Sequence, residues 1–161
     1  MLSAGAIGGV DDMIVFSLVL ALAAPSASYS AALFKAAGFH RVGKHWRSDC
    51  DDPGTASYSP GAIELFCDLN GDGRPEAVVT EGGTYCYGNT GTGFTLLTKD
   101  AAGAWRTLHS SNGVATFLPV KAKGWPDIEV GGPGFCFPVL RWTGTAYAVH
   151  RHAYQGRRCA R

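Results

Sequence analysis

Charge is scarce in this chain. Only 17% of its 161 residues are Asp, Glu, Lys or Arg, and the formal net charge is +1. That leaves no footprint for a nucleic acid, which calls for a dense basic face. The five cysteines include no Cys-x-x-Cys spacing, so zinc ribbons and thioredoxin-like redox chemistry are not indicated. No Gly-x-Ser-x-Gly turn surrounds any serine, so the nucleophile elbow of an α/β-hydrolase is missing. No apolar run reaches the roughly 20 residues of a membrane-spanning helix. The 22 glycines follow no short period, which excludes collagen and fits tight turns between short strands.

What is present begins with an apolar run, Ile14 to Ala24, followed by Pro25 and the small residues Ser26-Ala27-Ser28. Its length is that of a signal-peptide core. Asp11 and Asp12 stand where a basic region belongs, and Met13 directly before the run suggests translation starting there. The sequence therefore predicts a signal peptide over 1–28, cleaved near Ser26 or Ser28. It predicts one β-rich domain over 29–161, exported to the periplasm or beyond, with no membrane span after cleavage. Loss of the leader moves the charge from +1 to about +3. The excess lies from Arg141 onward, where five Arg and two His meet no acid; a tail of this kind reads as a solvated edge. In an oxidising compartment, Cys50, Cys67, Cys86, Cys136 and Cys159 imply up to two bridges and one free thiol.

Ser30 to Phe39 has a helical pattern stopped by Gly38. After it the hydrophobic period falls to two. Phe39-His-Arg-Val42 and His45-Trp-Arg47 flank Gly43-Lys44 as a hairpin. Strands are expected at 63–67, 77–80, 84–87, 93–98, 105–108, 114–118, 127–130, 135–142 and 146–149. The fold class that follows is mainly β, with one short N-terminal helix.

A weak internal repeat sharpens that reading. Arg74-Pro-Glu-Ala-Val-Val-Thr-Glu-Gly-Gly83 followed by Tyr85-Cys86-Tyr87 aligns with Trp125-Pro-Asp-Ile-Glu-Val-Gly-Gly132 followed by Phe135-Cys136-Phe137. The offset of about fifty residues is that of blade-like units. Two units cannot close a propeller of at least four blades, so two antiparallel meanders packed on each other are expected, completed by the hairpin and helix. Spacing alone leaves the cysteine pairing open. The equivalence of Cys86 and Cys136 suggests a bridge between the repeats, with Cys50–Cys159 tying the ends and Cys67 free.

The strongest chemical signal is Asp68-x-Asn70-x-Asp72-Gly73-Arg74-x-Glu76. Calcium takes six to eight oxygen ligands, and alternate residues of a tight loop supply them well. Asp68, Asn70 and Asp72 hold loop positions one, three and five. Gly73 allows the turn that brings the Arg74 carbonyl inward, and Glu76 closes the site directly or through water. Val79 stands where an EF-hand needs its bidentate Glu, and the flanks are β-forming. The segment resembles instead the calcium loops of FG-GAP and VCBS repeats, the integrin-α-like family, over about residues 68–80. Glu76 replaces the usual final Asp, and only one copy is complete. The resemblance implies a structural calcium ion between strands. It does not imply a full propeller or an adhesion role.

Other constellations are weaker. His150 and His152 share a strand face as a zinc or copper pair without a third ligand. Asp49, Asp51 and Asp52 next to Cys50 form either a second metal site or a disulfide-anchored turn. His109 adjoins Ser110 and Ser111. Glu64, Glu81 and Glu129 are the acids available to a glycosidase-like pair. Among the aromatics, Trp125 and Phe135 flank the loop Gly131-Gly-Pro-Gly134 and are the expected ligand-binding residues. The leading expectation is a noncatalytic binding module for a protein or an envelope glycan. The alternatives are a small envelope-polymer hydrolase and a structural envelope protein.

Overall fold

A computed structural model describes residues 25–159 of the chain. Residues 1–24 of the expected leader lie outside that range, and residues 25–28 supply the start of the first helix. This helix, α1, runs Ala27–Ala36, earlier than the pattern from Ser30 indicates, because the Ser26 hydroxyl accepts from the Tyr29 N–H and caps it. It ends at Gly38, whose φ of +84° allows the N–H groups of Ala37, Gly38 and Phe39 to close on Leu33, Lys35 and Phe34 carbonyls.

The hairpin follows as expected, with β1 (His40–Val42) and β2 (His45–Arg47) paired His40 to Arg47. Two antiparallel sheets make up the rest. The first contains β3 (Ser59–Cys67), β4 (Glu76–Gly82), β5 (Thr92–Lys99) and β6 (Trp105–Asn112), in that order. The second contains β7 (Val114–Ala122), β8 (Trp125–Gly131), β9 (Phe137–Trp142), β10 (Tyr147–Tyr154) and a short β11 (Arg157–Arg158). β3–β6 and β7–β10 are thus two sequential four-stranded meanders, the mainly β architecture expected from the repeat.

The period of two explains how they stack. Val78, Phe94 and Leu96 leave the first sheet on one face and meet Ile128, Val130, Leu140, Trp142 and Tyr147 of the second. Ala77, Val79 and Leu97 leave the opposite face and pack under Leu33, Phe34 and Phe39. Trp46 of β2 lies flat on Phe34 at 4.9 Å. The order of layers is therefore helix and hairpin, first sheet, second sheet, with β4 and β5 buried on both sides. Only Gly113 joins the sheets in sequence. A Cβ there would sit 2.6 Å from the Gly131 carbonyl oxygen, so the passage between meanders requires glycine.

Three expectations fail. Thr84–Tyr87 is a short helix, α2, followed by a 3₁₀ turn over Gly88–Thr90. Gly83 ends the strand before it, and the Tyr87 ring folds onto Gly93 so closely that a Cβ there would meet it at 2.3 Å. Likewise Phe135 and Cys136 precede β9, and Cys136 has a φ of +59°, which no strand residue adopts. The bridges are Cys50–Cys86 and Cys136–Cys159, correcting the expected Cys86–Cys136 and Cys50–Cys159. Each bridge closes within one half of the chain. α2 turns toward the segment after β2, and Cys136 sits against the tail after β11. Cys67 is free, as expected.

Candidate functional site

The acidic loop joins β3 to β4 and is folded by its own side chains. Asp68 Oδ1 accepts from the Gly71 N–H at 2.6 Å and Oδ2 from the Gly73 N–H at 2.8 Å. Asn70 Oδ1 accepts from Asp72 N–H, and Asp72 Oδ1 from Arg74 N–H, each at 2.8 Å. Asp68, Asn70 and Asp72 thus each accept backbone N–H groups of their own loop. The Arg74 guanidinium reaches Asp72 Oδ2 at 2.7 Å, and this contact holds the Asp72 carboxyl below its ordinary range. Among the described residues no three His, Cys, Asp or Glu side chains stand close enough to share a metal ion.

Glu76 is the exception to the loop's exposure, at 0% accessible. It accepts from the Leu69 N–H and the Thr98 hydroxyl, both at 2.9 Å. Burial pushes its carboxyl up, and the Leu69 and Thr98 donors only partly offset this. It forms no ion pair among the described residues. Its counterpart behind the second proline, Asp127, is also 0% accessible. Asp127, however, receives Arg141 Nε and Nη2 at 2.9 and 2.8 Å and Arg151 Nη1 at 3.0 Å. The bidentate Arg141 contact holds the Asp127 carboxyl low. A buried acid thus follows each proline, and among the described residues only Asp127 has guanidinium compensation. This pairing joins residues 14 and 24 apart, and the sequence carried no sign of it beyond the repeated Pro-acid step.

A third buried acid, Glu81 at the end of β4, binds the Ser48 N–H and hydroxyl and the phenols of Tyr58 and Tyr87 at 2.8 and 2.7 Å. It anchors the segment that carries Cys50 to the sheet. In that segment Asp52 Oδ1 accepts from Gly54 and Thr55 N–H groups at 2.8 Å. The acids around Cys50 therefore form the disulfide-anchored turn.

The remaining expected groups are dispersed. Ser110 Oγ contacts Thr95 and the Phe94 carbonyl, and the His109 ring lies between Phe94 and Tyr147. Burial lowers the His109 pKa. Glu64 lines the groove between the sheets, Glu129 pairs across Thr116 and Val139, and Glu81 is enclosed. Trp125 packs against Trp142 and Tyr147 at the rim of the core. Phe135 is 75% exposed and leans on Tyr154. The two expected ligand-binding aromatics are set apart, Trp125 opening β8 and Phe135 lying past its other end.

No family model, no curated protein and no solved structure matches this chain. No helix among the described residues is long and apolar enough to cross a membrane.

Proposed function

We propose that this chain is an exported, noncatalytic binding module in which the Asp68–Glu76 loop holds one structural calcium ion. The observation that carries the metal is the unequal treatment of Glu76 and Asp127. A buried carboxylate is costly without a cation. The second meander supplies two arginines, and the first offers an oxygen-rich loop in their place. Asp68, Asn70, Asp72 and the Arg74 carbonyl would hold the ion, with Glu76 behind them, in the manner of the FG-GAP and VCBS loops that the segment resembles. Calcium would neutralise the clustered acids and fix the connection between β3 and β4.

Export is supported by the two disulfides and by the apolar run before Pro25. A binding role is supported by the exposed aromatic Phe135, which has no packing duty in either core cluster. The test is a thermal melt in EDTA and across a calcium series. A Tm that rises with calcium and not magnesium, and no longer responds in an Asp68→Ala, Asp72→Ala double variant, supports the ion. A Tm indifferent to millimolar calcium removes it.

A further inference from the structure

The outer part of the second sheet carries a feature that the calcium loop does not touch. β10 is bulged at His150: Val149 pairs with Leu140, and the next ladder pair is Arg151 with Val139. The extra residue breaks the alternation of faces, and bulges re-aim side chains in this way. Val149, His150, Arg151 and His152 in consequence all line one surface pocket of about 560 Å³, with Arg158 and the Cys136–Cys159 bridge completing it. A second hollow of about 300 Å³ adjoins it through Val149 and His150, and adds Lys123 and Arg141. No acid among the described residues lines either hollow. Asp127 answers Arg141 and Arg151 with a single charge, whereas Arg158 meets no carboxylate among the described residues.

Three aromatic side chains adjoin this groove in sequence, next to Cys136 and His152, without lining either hollow. Tyr154 lies two residues beyond His152 on the same strand face. Its ring meets Phe135 at 6.4 Å and Phe137 at 6.0 Å. Phe135 and Phe137 flank Cys136, so the bridge that bounds the basic pocket also fixes the aromatic rim. The pieces are held rigidly: the β10–β11 hairpin turns at Gln155 and Gly156, both at positive φ, and Cys159 bolts its end to Cys136.

We propose that this groove binds an acidic polysaccharide, with a carboxylate or sulfate at His152 and Arg158 and a sugar face stacked on Phe135. This rests on the reading of the chain as a binding module and names its ligand class. The charge pattern selects an anion, and a pair of adjoining hollows suits successive sugars better than one small ion. The aromatic rim supplies the apolar face that a pyranose ring uses and that a free anion does not. The basic groups are too few for the long phosphate track of a nucleic acid.

The experiment is isothermal titration of the full chain with polygalacturonate and with dextran sulfate, against neutral dextran and inorganic phosphate at matched ionic strength. The variants are Arg158→Ala, His152→Ala and Phe135→Ala, each checked for an unchanged Tm. Binding of an acidic polymer that weakens at least tenfold both in the Arg158 and in the Phe135 variant is the expected result. A loss in the Arg158 variant alone, or equal occupancy by inorganic phosphate, reduces the groove to a plain anion site and overturns the proposal. Binding unaffected by all three variants, or binding of neutral dextran alone, also overturns it while leaving a binding module with its surface elsewhere. Binding of none of the four probes overturns it as well; the calcium melt, read separately, is untouched by that outcome.

Discussion

Glu76 and Asp127 each follow a proline and are each closed to solvent, but Glu76 lies on the Val78 face toward the second sheet and Asp127 on the face opposite Ile128, and among the described residues only Asp127 has arginines against it. The difference makes the two halves respond oppositely to pH. Asp127 has a lowered carboxyl pKa, so its contribution to stability is present above the unfolded carboxylate range near 4 and is lost as pH falls through its folded value. Asp127→Asn should destabilise the fold at pH 7 by about 3 kcal/mol, since it leaves two guanidinium groups facing a neutral amide. Urea denaturation should show that deficit shrinking as the buffer is taken toward pH 3.

Glu76 has the opposite sign. Its folded pKa is raised, so the protonated form is favoured in the fold, and that stability is lost as pH rises from the unfolded value near 4.3 through the folded one. In EDTA, Glu76→Gln should therefore melt higher than the parent chain at pH 7 and equal to it near pH 4. If the loop binds calcium as proposed, the order should reverse at pH 7 in saturating calcium, because the variant gives up a charge that the ion would use. A Gln variant that is less stable than the parent in EDTA at every pH would show the Leu69 and Thr98 hydrogen bonds to outweigh the buried charge.

Cys67 gives an independent reading of the same loop. Burial raises its thiol pKa, and the nearby charges of Glu76 and Asp68 raise it further. Alkylation by iodoacetamide at pH 8 should be slower than for an exposed cysteine. Neutralising those acids with calcium should lower the thiol pKa and speed the reaction. Calcium that leaves the rate unchanged, in a protein whose Tm it raises, would locate the ion elsewhere.

The helix layer can be tested through Leu33, fully buried between α1 and the first sheet. Leu33→Ala should cost about 2–5 kcal/mol. Because the second sheet packs on the other face, hydrogen exchange should rise in α1 and the hairpin before it rises in β8 and β9.

Most of the sheet architecture was legible, for reasons particular to this chain. Val78 and Val79 face opposite layers, and a short β-forming run such as Thr-Leu-Leu-Thr98, bounded by Gly93 and Asp100, fits a strand buried on both sides. The hairpin at Gly43 and the stop at Gly38 are local conformational requirements, which a sequence states directly. Thr84–Tyr87 misled because Tyr-Cys-Tyr alternates like a strand; Gly83 and Gly88 on either side were the local warning. The bridges misled for a deeper reason. Repeated cysteines invite pairing across the pseudo-symmetry, but equivalent points of two stacked meanders need not be neighbours. Cys86 follows α2 toward Cys50, and Cys136 follows the tail. The Asp127–Arg141–Arg151 cluster depends on which strands pair and in what register, and the β10 bulge on where that register slips.

Both bridges close inside a single half, and the halves meet in sequence only at Gly113. Apart from the backbone at that glycine, no described covalent link crosses the apolar seam between the sheets. The chain is thus built as two separately fastened plates. Nicked at the seam, the N-terminal and C-terminal fragments should each keep their own clasp and find one another again through Phe94, Leu96, Ile128 and Leu140, so that the molecule can be divided and reassembled without any change of oxidation state.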